Sequence, residues 1–236
     1  MKIDLVGSMC TWTKELSTSF IINDEILLDV PQGSFKTLRY KYDLSKIKYI
    51  VFTHFHSDHF LDIHLVLEVF KQHYKDKKIT ILAPKTCKER LLQLFKIIET
   101  DYLLDYVNNN ITFIDCENEK TIQLGDYNIT PYLMLHGKVT DYGYTIEQNK
   151  KTIGFSGDTS MCDNLHKILK NSKVAFIDCA STSKNDKHLS VEEFCNLQKQ
   201  YSNTKMYPIH THYPSKELLQ KSGVETLKDQ DIVKLD

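Results

Sequence analysis

The chain has 236 residues, a formal net charge of −1 and 26% charged residues, enough length to bury a large core without staples and too balanced for a disordered or fibrous protein. Near-zero charge removes any bulk pull toward nucleic acid or anionic membrane, so a nucleic-acid substrate would need a local basic patch, which the sequence does not place. Six scattered cysteines (10, 87, 116, 162, 179, 195) without a CxxC pair, together with the lack of a secretory or membrane-length apolar stretch, read as reduced thiols in a cytoplasmic protein with no membrane partner.

Strand-like runs open the chain at 2–6, 19–22, 25–30 and 48–53. The stretch 59–74 is helical, with Phe60, Leu61, Ile63, Val66, Leu67 and Phe70 on one side and a polar stripe of His64, Glu68, Lys71 and Lys75 on the other. A strand at 78–83 and a helix at 87–98 lead into strands 111–115, 120–124, 127–136, 142–147 and 151–156. The last third alternates helix 162–170, strand 173–179, helix 191–201, strand 205–210 and a short helix after Pro214. Strands first, then helices flanking strands, fit two packed sheets covered by helices on both outer faces. No linker or repeat interrupts the pattern, so residues 1–236 are expected to form one domain.

The strand at 48–53 runs directly into His54, His56, Asp58 and His59. Imidazole and carboxylate are the ligands of zinc and its first-row neighbours. Residues two apart in an extended turn point the same way, so His54 and His56 can grip one metal, while Asp58 and His59 enter a helix and can grip another. Four such side chains this close would repel or waste hydration unless something bound them. Further candidates stand at strand ends: His136, Asp158 within Gly154-Phe155-Ser156-Gly157-Asp158-Thr159, His188 before a helix, and His210, with His212 two residues on competing for the same place.

This set resembles the metallo-beta-lactamase fold superfamily from residue 1 to His210, and within it the branch of ribonuclease Z and related phosphodiesterases. The resemblance implies an α/β fold, the αββα four-layer sandwich, with two divalent ions: zinc first, manganese or iron as alternatives, since no cysteine is in the set. By resemblance His54, His56 and His136 hold one ion, Asp58, His59 and His210 the other, and Asp158 bridges them. Asp58 and His188 are the candidate catalytic residues, His188 as proton donor to the leaving oxygen or as a phosphate contact. Ser190 and Glu193 form a capping-box pattern that leaves the His188 imidazole free. Homologous hydrolases suggest a homodimer.

Two departures from that branch shape the expected function. Cys179 stands where the family carries a glutamate that orients the histidine, and Asp178, one residue early, is expected to face the opposite way. Only 21 residues separate His136 from Asp158, which leaves no room for the tRNA-gripping arm of full ribonuclease Z. The expected activity is therefore metal-dependent hydrolysis of a small cyclic or linear phosphodiester or a short nucleic-acid end, with Lys138, Tyr142 and Tyr144 as candidate pocket residues. Thioester or lactone hydrolysis on the same metals, and a non-catalytic metal-binding role, are the alternatives. Asp62 is a candidate hydrogen-bond partner for a ligand histidine, and His64 is expected to pair with Glu68.

Overall fold

Along nearly every strand the apolar side chains alternate between two faces, and this alternation sorts the core into three apolar layers separating four structural ones. In the computed structural model, which describes residues 1–235, a seven-stranded sheet is built from β1 (Lys2–Gly7), β2 (Ser19–Ile22), β3 (Ile26–Leu28), β4 (Tyr49–Val51), β5 (Ile79–Ala83) and β6 (Ile111–Asp115), with β13 (Ile232–Lys234) outside β1. The second sheet holds β7 (Ile122–Leu124), β8 (Tyr127–Leu133), β9 (Tyr142–Gln148), β10 (Lys151–Phe155), β11 (Val174–Asp178) and β12 (Lys205–Ile209) in the order β12-β11-β10-β9-β8-β7.

Phe20, Ile22, Ile26, Leu28, Val51 and Leu82 point from the first sheet into the space between the sheets, where they meet Tyr144, Ile146, Phe155, Phe176 and Ile209 of the second. Their neighbours Ile21, Leu27, Ile50 and Ile81 point outward, under α1 (Phe35–Lys41), α3 (Ile63–His73), α4 (Cys87–Ile97) and α5 (Leu104–Asn110). On the far side, Ala175 and Ile177 lie under α6 (Asp163–Asn171), α7 (Val191–Gln200) and α8 (Tyr213–Lys221). Helix, sheet, sheet, helix is the αββα sandwich.

β3 to β6 run parallel, as do β10 to β12. The antiparallel pairs β8–β9 and β9–β10 give β8 the direction of β10. The carboxyl ends of β8, β10, β11 and β12 therefore gather at one edge, where open α/β sheets present ligand sites.

The expected helix over 59–74 is two: α2 (Ser57–Phe60) and α3, separated at Leu61 and Asp62. The break is paid for by Asp62, whose N–H donates to Val30 O at 3.1 Å and whose Oδ2 accepts from Phe35 N at 2.9 Å, anchoring the start of α1. That use of Asp62 replaces its expected contact with a ligand histidine. β8 stops at Leu133 rather than at residue 136. Helices α1 and α5 and strand β13 have no counterpart in the sequence reading; α1 buries only Leu38, and β13 is a three-residue edge strand.

Candidate metal centre

The side chains that converge at the sheet edge are presented by loops held at both ends. Beyond β4, Thr53 N donates to Asp29 Oδ1 at 2.9 Å and Thr53 Oγ1 to Asp29 Oδ2 at 2.8 Å, so the chain leaves the strand in a defined direction. His54 and His56 follow, and His56 occupies the N-cap position of α2, whose first turn carries Asp58 and His59. Val30 N to His59 O, at 2.7 Å, ties that helix back to the end of β3. Beyond β8, a bridge between His136 and Val139 shapes the tight reversal into β9. Asp158 follows Gly157, whose backbone is left-handed at φ +61° and where a Cβ would lie 2.3 Å from Asp141 Oδ1; only glycine fits this turn. His210 directly follows β12 and lies in the left-handed region at φ +55°, and its N–H donates to Ser8 O at 2.9 Å and Thr18 Oγ1 at 3.1 Å. Strain of this kind in a non-glycine residue costs on the order of 1 kcal/mol and persists where surrounding contacts impose it.

The structure brings together all seven side chains named as metal ligands from the sequence. Donor atoms of His54, His56, His136 and Asp158 lie within 4.8 Å of one another, and so do those of Asp58, His59 and His210. Asp158 is central: Oδ2 lies 3.8 Å from His54 Nε2, 3.8 Å from His136 Nε2 and 3.3 Å from His210 Nε2, and Oδ1 lies 3.5 Å from His59 Nε2. His210 Nε2 is also 3.9 Å from Asp58 Oδ2.

Three of the histidines have their remote ring nitrogen fixed by an acceptor. His54 Nδ1 donates to Asp141 at 2.7 Å, His59 Nδ1 to Asp29 at 2.8 Å, and His136 Nδ1 to the Lys187 carbonyl at 2.9 Å. Such partners set the tautomer and aim the Nε2 lone pair into the site. Two consequences fit a cation. His54 Nε2 sits 2.9 Å from His56 Nδ1, so two ring nitrogens converge on one point, and His59 Nε2 is buried with no hydrogen-bond partner. A divalent ion satisfies both, and the all-nitrogen-and-oxygen donor set suits zinc, manganese or iron.

Electrostatics agree with this use at three of the imidazoles; at His59 burial pulls the other way from Asp158 and Asp29, which together hold it well above the ordinary histidine range, so this imidazole has a proton to give up on binding a cation. Burial, with help from neighbouring imidazoles, holds His54 well below the ordinary histidine range, and burial lowers His56 and His210 too; neutral imidazole is the form that binds metal. Burial alone would push Asp158 up, but His210, His59 and His54 hold it well below the usual carboxylate range. Burial and the Asp158 charge push Asp141 well above that range.

His188 departs from the sequence expectation. Its Nδ1 is 2.9 Å from Asp178 Oδ2, so Asp178 is its partner after all. The alternation was right and the face was misassigned: Phe176 points between the sheets, Ile177 toward the outer helices, and Asp178 therefore falls on the inner side with the site. Asp178 is completely buried and also accepts from Thr159 N and Ala180 N, both at 2.9 Å. Cys179 packs under the helices beside Leu189 and Val191, where burial raises its thiol. Burial pulls His188 down, but the Asp178 carboxylate more than reverses this and brings it to about 9. One of its donor atoms lies within 4.8 Å of Asp158 and His210. The Ser190–Glu193 capping box is formed and does not involve the imidazole.

The other candidates sort cleanly. His212 caps α8, accepting at Nδ1 from Ser215 N at 3.0 Å, and takes no part in the site. His64 Nδ1 donates to Leu61 O at 2.9 Å, while Glu68 accepts from Gln72, so the expected His64–Glu68 pair is absent. Tyr144 is core, donating to Phe52 O at 2.6 Å rather than lining a pocket. Lys138 does line the cleft over the ligands, which has a volume of about 580 Å³. Trp12, 84% exposed, stands at its rim. Asp29, Asp141 and Trp12 were missed; a lone acid after an apolar strand, as at Asp29, was the available signal. Replacing Asp141 with asparagine is expected to weaken metal binding about 10–100-fold without unfolding the chain, measurable by competition with a chromogenic chelator.

The match to the Beta-lactamase superfamily domain covers residues 27–211, and the chain belongs to that superfamily, with the metallo-beta-lactamase fold. A ribonuclease Z from Staphylococcus haemolyticus is 28% identical over 144 residues, 57% of this chain and 45% of that protein, so the chain spans about half the length of the curated relatives it matches. The metallo-beta-lactamase fold protein YhfI of Bacillus subtilis superposes with a TM-score of 0.81 at 16% identity, covering 98% of both chains. The short form of human tRNase Z gives 0.78 at 14% identity over the whole of both. No helix among the described residues is long and apolar enough to cross a membrane.

Proposed function

We propose that the chain is one domain working as a binuclear metal-dependent hydrolase of phosphodiesters, with His54, His56 and His136 holding one ion, Asp58, His59 and His210 the other, and Asp158 bridging. Zinc suits the donor set best, with manganese or iron as substitutes. A pair of divalent ions in such a site supplies charge stabilisation of the phosphoryl group and an ionised water at neutral pH. The chain's own residues do the rest. Asp29, Asp141 and the Lys187 carbonyl hold three imidazoles in one tautomer. Asp58 adds a carboxylate facing the cleft.

The observation that carries the choice of phosphodiester is the His188–Asp178 pair at 2.9 Å. Asp178 keeps a proton on the imidazole that lines the cleft, where it can pass to a departing alkoxide oxygen; a thiolate leaving group needs no such donor. The acyl-hydrolase alternative rested on the same metals and on the absence of a carboxylate beside His188, and Asp178 removes the second of these grounds. The 21 residues between His136 and Asp158 are occupied mainly by β9 and β10, so substrates that need no extended arm, such as cyclic or short linear phosphodiesters, suit it best. Metal-loaded protein is expected to hydrolyse bis-p-nitrophenyl phosphate and cyclic nucleotides in preference to thioesters and lactones. Acyl turnover without phosphodiester turnover would reverse the assignment.

A further inference from the structure

A second cleft, about 530 Å³ in volume, adjoins the first and shares His56, Lys138 and Val139 with it. The two differ in charge. The metal cleft is lined by Asp58, Asp158 and Asp186 as well as lysines, whereas the charged residues of its neighbour are Lys85, Arg90 and Lys138, with no carboxylate. None of these three cations lies within 4.0 Å of a carboxylate oxygen among the described residues. In a chain of net charge −1 this is the basic patch that composition could not locate.

Arg90 is also held in place. Its Nε donates to Thr86 Oγ1 at 3.2 Å, and its guanidinium lies 4.9 Å over the Phe55 ring. With Nε used and one face covered, the two terminal amino groups remain, a planar fork suited to two oxygens of a phosphate. Phe55 immediately precedes His56, which lines both clefts, so the fork lies in the groove that adjoins the metal cleft. Three unpaired cations in a walled groove draw polyanions more strongly than on an open surface.

We propose that this groove is a subsite for a second phosphate of the substrate, so that the protein prefers phosphodiesters bearing a further phosphate group over those with one. The inference rests on the phosphodiesterase reading above and narrows its substrate class. The second phosphate can be a terminal monoester or the next link of a short strand; the chemistry recognised is the same.

The test compares three substrates of the zinc-loaded protein: the p-nitrophenyl ester of thymidine 5′-phosphate, the same ester carrying a 3′-phosphate, and the ester extended by one nucleotide. The added monoester or link is expected to raise kcat/KM at least about tenfold, the worth of one charge-assisted hydrogen bond, mainly through KM. The double substitution Lys85→Ala, Arg90→Ala, at exposed positions, is expected to abolish that gain and leave the unextended ester unaffected. Calorimetric binding of thymidine 3′,5′-bisphosphate against thymidine 5′-monophosphate gives a second readout independent of turnover, with the same loss of preference in the double variant. Which of the two longer substrates gains more identifies the source of the phosphate. Equal kcat/KM for all three esters, with no preference in binding, overturns the subsite and leaves the phosphodiesterase reading intact. Failure to hydrolyse any of the three defeats the reading and the subsite with it.

Discussion

Changing Asp158 to asparagine is expected to reduce bound metal from two ions to at most one and to lower kcat/KM on a phosphodiester by at least about a thousandfold, since metal-centred charge stabilisation is worth several kcal/mol and each 1.4 kcal/mol is tenfold. Four imidazole nitrogens lie 3.3–3.8 Å from its carboxylate. Two dications held by these residues would repel one another, and the Asp158 carboxylate is the anion placed to offset that repulsion. The amide keeps the shape and removes the charge, so a loss from this substitution is electrostatic rather than steric. Elemental analysis of dialysed protein reads the stoichiometry, and a variant that keeps two ions and its activity would show that Asp158 does not bridge.

The second large effect is expected from His188→Ala. General acid catalysis contributes typically 10²–10⁴-fold, and a loss of that size is expected on phosphodiesters with an alkoxide leaving group, with metal content unchanged. On a nitrophenyl ester, whose leaving group departs without a proton, the loss is expected to be much smaller. Asp178→Asn should reproduce the leaving-group pattern, because the amide no longer orients the imidazole as a donor toward the cleft. If His188→Ala instead sheds metal, the residue is a ligand; its donor atom lies within 4.8 Å of Asp158 and His210, so the metal measurement is essential. An equal loss on both kinds of ester would also remove the proton-donor role.

What could be read from the sequence was what is local. His54, His56, Asp58 and His59 declare themselves within six residues, and His136, Asp158 and His210 each end an apolar run, so their gathering follows once the strands are aligned at one edge. The orientation of Asp178 was not legible, because alternation along a strand gives opposite faces without saying which face is inside. That requires knowing that Phe176 packs against Phe20 of the other sheet, at 4.9 Å between ring centroids. Asp29 and Asp141 were missed for a similar reason: each acts on a histidine from a different segment, 30 and 87 residues away, and an isolated aspartate carries no mark of its partner. The three cations of the second cleft are likewise assembled by the fold, Lys85 from just before α4, Arg90 from its first turn and Lys138 from the turn before β9. Strand β13 was invisible because its only buried side chain, Val233, is ordered by pairing with β1 at the opposite end of the chain.

The bond from His210 N–H to Ser8 O has a bearing on how the protein is made. His54 through His59 lie close together in sequence, but the left-handed bend that aims His210 depends on a loop near residue 8 closing against a segment some two hundred residues later. The last imidazole of the site is thus aimed only once these two distant segments have been made and packed together.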